Sequence, residues 1–237
     1  MPPLTLRPSE TPVKDPAKSL NQPQSKNSDN NLNLKTIPYR QIRAVFTPTT
    51  ITVYQAYPPS IATAAITTQS FTQVPGFKME RMTWIKPSFL WMAYRSGYAS
   101  KKNQERVLAI EISRDGFEWA LSHACLSHVS KDATKEETRE WKKKMEECPV
   151  RVQWDPERDL WGNPLTWRSL QVGLKGEAVE RYVNEWIVGV RDVTGVMHEI
   201  EKRIGKGDVE GATGLLPAEE IFEGDQGVGK GIGMIYR

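Results

Sequence analysis

Two stretches of alternating residues follow each other in the second half of the chain: Val150-Arg-Val-Gln-Trp-Asp155 and Ser169-Leu-Gln-Val-Gly-Leu174. In each stretch, apolar and polar side chains alternate with the two-residue period of a half-buried strand. No helical pattern separates them, so they predict neighbouring antiparallel strands rather than a strand–helix–strand unit. Together with the helical patterns elsewhere, they predict an α+β domain with a mixed, largely antiparallel sheet and flanking helices.

Further strands and helices are predicted on both sides of this pair. Strands are expected at 51–57, 82–86, 107–112 and 186–193, and helices at 59–70, 87–96, 117–125, 134–147, 177–185 and 194–204. The 107–112 stretch is nearly all apolar, which is typical of a strand buried on both faces. Pro87 is predicted at the first position of its helix, with Gly97 just past the end.

The distribution of tryptophan locates the folded domain, because tryptophans bury large areas. All eight lie between Trp84 and Trp186, and the domain is predicted over 38–204. Residues 1–37 are rich in Pro, Ser, Asn, Gln and Lys and contain no aromatic residue, which predicts a disordered tail. Residues 205–237 are predicted to form a flexible Gly-rich tail, of which 215–222 is expected to dock back onto the domain.

Composition excludes several classes of protein. The chain is 38% apolar and 26% charged, as in ordinary soluble domains. It lacks a run of about 20 apolar residues, so no membrane-spanning helix is expected. The first residues show no secretory signal, and two cysteines cannot build a disulfide scaffold. We therefore expect a reducing compartment, cytoplasmic or nuclear, and no membrane partner.

Charge is distributed unevenly along the predicted domain. Residues 35–106 contain ten Lys or Arg against two acids, whereas residues 107–204 contain 15 basic and 18 acidic residues. A basic excess within a folded segment favours an anionic partner such as a nucleotide or nucleic acid. The alternative is that folding mixes these charges with the acidic second half and leaves no basic surface.

Several sequence blocks resemble one family. They are Arg40-Gln-Ile-Arg-Ala44, Val53-Tyr-Gln-Ala-Tyr57, Arg81-Met-Thr-Trp-Ile-Lys-Pro-Ser-Phe-Leu-Trp-Met92, Tyr94-Arg-Ser-Gly97 and Val150-Arg-Val-Gln-Trp-Asp-Pro-Glu-Arg-Asp159. Over about residues 39–204 the chain resembles the family catalogued as domain of unknown function 4291. This resemblance implies domain boundaries and no established activity.

A second resemblance concerns the order of elements. The predicted strand, helix, strand and helix from residue 50 to 96 are similar to the opening of ADP-ribosyltransferase-like folds. That similarity implies NAD as a candidate cofactor, with Gln55 in the place usually held by His or Arg. It further implies that Tyr94 stacks on nicotinamide and that a carboxylate such as Glu157 orients a ribose hydroxyl. The alternative is that Tyr54, Tyr57 and Tyr94 are core residues whose hydroxyls reach the surface.

Basic residues surround an aromatic block in the same region, a pattern suited to phosphate contact and base stacking. The predicted ligand-binding residues are Arg40, Arg43, Tyr54, Arg81, Lys86, Trp91, Tyr94 and Arg95, with Lys101, Lys102 and Arg106 nearby. Trp84 and Phe89 are assigned to the core. The alternative is that the tryptophans are all core and that the basic residues only cover them.

Candidate catalytic residues are Asp155, Glu157 and Gln55. The two carboxylates follow a strand and could act as an acid/base pair or hold a metal ion together with a diphosphate, or they could cap the turn and pair with Arg151 or Arg158. His123, Cys125, His128 and Cys148 offer zinc-ligand types, but their spacing matches no common zinc template, so no metal site is predicted.

Three functions are consistent with these patterns. The first is a nucleotide- or nucleic-acid-directed protein, with an ADP-ribosyltransferase-like site as its specific form. The second is a non-catalytic RNA- or DNA-binding module with an open basic surface. The third is a protein-interaction domain that uses the charged helix at 134–147 and the two tails as contact elements. The sequence leaves open whether the protein is an enzyme.

Overall fold

The computed structural model describes residues 37–224 and 231–234. The tail predicted over 1–37 lies outside the described residues except for Ile37. Within the described ranges the chain forms helices and strands in mixed order. The strands are β1 (Arg43–Ala44), β2 (Thr50–Tyr57), β3 (Thr83–Ile85), β4 (Arg106–Ser113), β5 (Ala124–Leu126), β6 (Val150–Arg158), β7 (Pro164–Leu174), β8 (Ile187–Asp192) and β9 (Glu220–Ile221). The helices are α1 (Pro59–Thr68), α2 (Phe89–Ser96), α3 (Arg114–Ser122), α4 (Lys135–Glu147), α5 (Glu177–Arg181), α6 (Thr194–Gly205) and α7 (Val209–Thr213), and a π-helical turn (Tyr182–Trp186) follows α5.

The strands form two larger sheets and one small one. A three-stranded antiparallel sheet has the order β2-β4-β8, and a four-stranded sheet has the order β3-β7-β6-β5. In the four-stranded sheet only the β5–β6 pair is parallel. β1 and β9 form the small antiparallel pair. The predicted α+β class with a mixed, largely antiparallel arrangement is confirmed, and the β6–β7 pair is the antiparallel neighbour pair that the alternation indicated. Every helix in the described ranges is too short or too polar to cross a membrane.

Strand β4 separates two apolar cores. Its side chains from Val107 to Ile110 are at most 3% exposed, as the apolar run predicted. Leu108 and Ile110 face a large core that includes α1, α3 and both larger sheets. Val107 and Ala109 face a smaller core built from α2, α6 and α7. Because alternate side chains of a strand point to opposite faces, one apolar run supplies both cores.

The two larger sheets meet where β2 passes β3. The backbone N–H of Tyr54 in β2 donates to the carbonyl of Lys86, one residue past β3, at 2.7 Å. The amide of Gln55 spans the same junction: its Nε2 donates to Thr83 Oγ1 at 3.2 Å and to the Trp84 carbonyl at 3.1 Å. Its Oε1 accepts the hydroxyl of Tyr182 at 2.7 Å. These bonds fix how the two sheets are placed.

The helix predicted at 117–125 is shifted in the structure. Ser113 caps α3 by accepting the N–H of Gly116 at 3.2 Å, so the helix begins three residues earlier than predicted. The predicted last residue, Cys125, instead lies in β5, which pairs with β6. Gly116 itself lets α3 approach the π-helical turn, because a Cβ there would come within 2.4 Å of the Trp186 ring.

The folded part of the chain extends past the predicted boundary at Ile204. Helix α7 and strand β9 follow, and the N–H of Phe222 donates to the carbonyl of Ile42 at 2.9 Å. The ring of Phe222 is fully buried and makes edge contacts with Phe46 and Phe117, at centroid distances of 5.4 and 5.5 Å. The sequence predicted that 215–222 docks back onto the domain, but it did not predict helix α7 or the β1–β9 pair, because β9 has only two residues and derives its order from β1, which is distant in sequence.

We predict that Phe222→Ala lowers the free energy of unfolding by about 3–5 kcal/mol, because it empties a buried aromatic site. Urea unfolding of the full chain would measure this loss. Val188→Ala is the control, since Val188 is 61% exposed and the substitution should change stability by less than about 0.5 kcal/mol. Equal losses in the two variants would show that the C-terminal segment is not part of the cooperative core.

Candidate functional site

A cleft opens at the junction of β2 and β3, with a volume of about 590 Å³. Its floor is formed by Gln55, Thr83, Trp84, Lys86 and Met92. Its walls come from the segment before β3, from the C-terminal turn of α2 and from the loop that follows α2. Clefts of this size are typical of small-molecule sites.

The charged side chains that line this cleft are all positive. Five cationic side chains line it: Lys78, Arg81, Lys86, Arg95 and Lys102. No Asp or Glu is among the lining residues, and none of the five forms an ion pair within the described part of the chain. Uncompensated positive charge in a concave site raises the local concentration of anions.

Lys86 is the buried member of this set. Its side chain is 7% exposed, its Nζ lies 5.3 Å from the centre of the Trp91 ring, and it donates to the Trp84 carbonyl at 3.4 Å. Burial, together with the nearby positive charge of Arg95, lowers the pKa of Lys86 to about 7. The carboxylate of Asp155 opposes this change but does not reverse it. At neutral pH the amine is therefore neutral in a large fraction of molecules.

The start of α2 explains why Lys86 is held in place. Its carbonyl is bonded to Tyr54, and Pro87 restricts the backbone that follows. Ser88 then caps α2 by accepting the N–H of Trp91 at 3.1 Å, so Phe89, not Pro87 as predicted, is the first helical residue. Gly97 ends the helix in a left-handed conformation, as predicted.

Arg95 lies on the exposed rim, in the last turn of α2. Its Nη1 donates to Gln104 Oε1 at 2.9 Å, which orients the guanidinium and leaves its other N–H groups free for a ligand. Trp91 is one turn earlier on the same face of the helix, as predicted, but it is buried beneath Lys86.

The predicted carboxylates lie outside the cleft. Asp155 accepts from Gln153 at 2.8 Å and from Gln171, and it is the carboxylate whose charge acts on Lys86. Glu157 is buried and accepts the Ser88 hydroxyl at 3.0 Å. Burial raises the pKa of Glu157, although hydrogen bonds from Arg158 and Ser88 counteract the rise. Both carboxylates lie within β6 rather than in a turn after it, so Glu157 does not cap a turn as the predicted alternative had it, but accepts from the capping Ser88 of α2.

Sequence analysis did not identify Glu219, which together with Glu157 forms a second buried cluster, near the start of α2. Its Oε1 accepts the N–H of Phe89 at 2.7 Å, at the first turn of α2. Burial, together with the neighbouring Glu157 carboxylate, raises the pKa of Glu219 to about 8. Arg43 lowers the pKa of both carboxyl groups, which places it beside them rather than in the cleft. Glu219 lies in the part of the predicted tail that was expected to dock back, but no local pattern marks it as a partner of α2.

The remaining predicted residues are distributed around the site. Tyr54 is buried, with its ring edge-on to Phe89 at 5.4 Å. Tyr94 is 40% exposed outside the cleft, and the Arg158 guanidinium lies 3.8 Å from its ring centre. Arg40 pairs with Arg168 in an isolated β-bridge. The structure thus brings Gln55, Arg81, Lys86 and Arg95 together in the cleft and does not bring the other predicted residues into its lining.

Three lining residues correct or extend the sequence prediction. Trp84, assigned to the core, is only partly buried and lines the cleft. Lys78 and Gln104 were not singled out, because their role depends on how two separate loops approach each other. Among the described residues, His, Cys, Asp and Glu side chains form no group of three or more arranged to hold a metal ion.

A comparison with known protein families identifies the family to which this chain belongs. It matches the family described as Domain of unknown function (DUF4291) over residues 41–222, well over half of its length. The protein belongs to this family, as the resemblance of its sequence blocks indicated. The match ends at Phe222, the residue that follows β9. No curated protein matches the chain.

We predict that Lys86→Met raises the free energy of unfolding at neutral pH by an amount on the order of a few kcal/mol. The unfolded chain binds the lysine proton more tightly than the folded chain, because the folded pKa is about 7 and the ordinary value is 10.5. The penalty is complete below pH 7 and disappears as pH rises to about 10.5. The gain from Lys86→Met should shrink over this window.

Urea unfolding of wild type and variant at pH 6, 8 and 10 measures this difference. Contributions from Glu219 and other groups cancel when the two curves are subtracted. The control is Lys206→Met, an exposed lysine outside the cleft, for which we expect a small and pH-independent change. A Lys86→Met effect that is equally flat would contradict a buried amine with a lowered pKa.

Proposed function

We propose that this protein binds a nucleotide in the cleft, with the phosphates held by the cations of the rim. The observation that carries the proposal is the set of five cationic side chains with no carboxylate in the lining. Exposed lysines and arginines normally lie among acids, and a set left without ion pairs favours an anionic ligand. Arg81 and Arg95 supply guanidinium groups, which bind phosphate oxygens in a bidentate manner.

Trp84 supports a nucleotide over a simple anion. Three atoms of its ring are each 2.9 Å from the position of a Cβ on Gly173, so the ring lies flat over that glycine. A residue with a side chain at position 173 would displace the ring. The fixed and partly exposed indole offers a surface on which a nucleobase or nicotinamide can stack. Trp84 therefore takes the stacking role that the sequence assigned to Tyr94.

The shape of the site favours a small ligand over a nucleic acid strand. Proteins that bind single-stranded nucleic acid track its backbone along an extended basic groove with several aromatic platforms. Here the five cations surround one concave cleft of about 590 Å³, which suits a mononucleotide or dinucleotide. The alternative functions, a nucleic-acid-binding module and a protein-interaction domain, are distinguished from this one by ligand binding.

The finer form of the proposal is an ADP-ribosyltransferase-like reaction with NAD. It is supported by the order β2, α1, β3 and α2 around the cleft and by the position of Gln55 on its floor. In such a reaction the bond between ribose and nicotinamide breaks, and nicotinamide leaves with the electron pair. Water or an acceptor hydroxyl adds to the ribose carbon and loses a proton. Asp155 lies outside the cleft, but its charge reaches Lys86 at the cleft floor, and we therefore assign it to stabilise positive charge on the ribose through space rather than by contact.

We predict that at least one of the nucleotides NAD, ATP and GTP raises the melting temperature of the full chain. A short RNA is tested in the same panel. Arg81→Ala and Arg95→Ala should each weaken binding about tenfold or more, because each removes a charged hydrogen bond worth about 1.5–3 kcal/mol. Arg139→Ala on exposed α4 is the matched control and should bind as wild type does.

The other outcomes decide between the alternatives. A shift with RNA alone that disappears as salt concentration rises would contradict the nucleotide proposal and favour a nucleic-acid-binding module. An unchanged melting temperature with every ligand would contradict both and favour the protein-interaction domain.

For the finer proposal, we expect the full chain to release nicotinamide from NAD, measured by chromatography. Asp155→Asn should lower the rate at least tenfold, because the neutral amide stabilises developing positive charge less well. Asp132→Asn, an exposed position outside the cleft, should leave the rate unchanged. NAD binding without nicotinamide release would reject the reaction while leaving the nucleotide proposal in place.

A further inference from the structure

Lys86 differs from the other four cations of the cleft in its surroundings. Lys78, Arg81, Arg95 and Lys102 are exposed on the rim and keep their charges in contact with water. Lys86 is buried at the floor, and in the described part of the chain its amine has one long hydrogen bond, to the Trp84 carbonyl. A phosphate-binding lysine would gain from a fully charged, exposed ammonium, so this placement suits another task.

The task that suits a buried amine is nucleophilic attack. Only the neutral amine carries the lone pair that attacks an electrophile, and an ordinary lysine with a pKa of about 10.4 is neutral in roughly one molecule in a few thousand at pH 7. The charged groups around Lys86 lie on several elements. Arg81 and Lys102 line the cleft from two loops and Arg95 lines it from α2, whereas Asp155 in β6 acts on the amine from outside the lining. Three of these four are positive and disfavour a second charge at the floor.

The amine also has a fixed position relative to the cleft. The bond from Tyr54 to the Lys86 carbonyl, together with Pro87, holds the backbone. The Trp91 ring supports the end of the side chain at 5.3 Å from Nζ. A nucleophile held in this way needs little reorganisation before it attacks a bound ligand.

We propose that Lys86 is a nucleophile that forms an imine with a phosphorylated aldehyde or ketone bound in the cleft. The ligand's phosphate is held by the cations of the rim, so the proposal rests on the anion-binding role given above. The lysine nitrogen adds its lone pair to the carbonyl carbon, and the carbonyl oxygen gains a proton to give a carbinolamine. That oxygen then leaves as water while the nitrogen loses its protons. No oxidant or reductant is consumed. A nucleotide whose ribose has a free anomeric carbon belongs to this class of ligand through its open-chain aldehyde.

The test uses the full chain and pyridoxal 5′-phosphate as the probe. The protein is incubated with equimolar probe between pH 6 and pH 10, borohydride reduces any imine, and the modified lysine is identified by peptide mapping. We expect one pyridoxyl group per chain, on Lys86, with a yield that rises to half its maximum near pH 7. Lys86→Met should abolish the modification, and Lys206→Met should leave it unchanged.

Three results would overturn the proposal. One is modification mainly of Lys78 or Lys102, the second is a yield at Lys86 that rises only towards pH 10, and the third is no modification. The wild-type peptide map decides among these even if Lys86→Met fails to fold.

Pyridoxal without phosphate separates this proposal from the proposed function. If both hold, the phosphorylated probe should modify Lys86 at least tenfold faster than pyridoxal, and Arg95→Ala should remove most of that advantage. Equal rates of modification at Lys86 would keep the nucleophile and reject the anion-binding cleft. Tight binding of nucleotides with no imine at Lys86 would do the reverse.

Discussion

The amide of Gln55 is the interaction on which the arrangement of the two larger sheets depends. It is 5% exposed, and its donors and acceptor bond to Thr83, to the Trp84 carbonyl and to the hydroxyl of Tyr182. An amide this deeply buried would be costly to leave unpaired, so the loss of any one of its three hydrogen bonds would destabilise the junction. They join β2, β3 and the π-helical turn at one point. The cleft exists because the sheets meet here, and Gln55 forms part of its floor.

The same junction concentrates charge in a way that opposes stability. Five cations share one cleft without ion pairs among the described residues, and one of them is removed from water. Repulsion between these groups and the desolvation of Lys86 both favour the unfolded chain. A protein retains such an arrangement when a ligand or a reaction uses it, since perturbed groups cluster at functional sites. Loss of the Lys86 proton removes the buried charge, but at neutral pH the folded chain still bears the cost of releasing that proton.

A second buried cluster secures the helix that supports the cleft. Glu219 and Glu157 lie near the N-terminus of α2, where one accepts a backbone N–H and the other accepts the hydroxyl of the capping Ser88. Burial raises the pKa of both carboxyl groups, to about 8 for Glu219, so protonation of Glu219 relieves the repulsion between the two neighbouring groups. Through Glu219 the C-terminal segment takes part in holding α2, and through α2 it helps to hold Trp91 beneath Lys86.

The sequence alone determined the elements whose order is written in local periodicity. The alternation at Val150 and Leu170 predicted the β6–β7 pair, and the apolar run at Val107 predicted a strand buried on both faces. The basic residues interleaved with aromatics singled out Arg81, Lys86 and Arg95, which line one cleft. Tertiary structure decided what depends on partners distant in sequence. The contacts of Glu219 and Phe222 carry no local signal, because the two-residue strand β9 is ordered only by β1. Trp84 was predicted to be a core residue, and the burial of Lys86 was not predicted. Trp84 lies against Gly173, and Lys86 is buried near Arg95, because folding brings together elements that are separate in sequence.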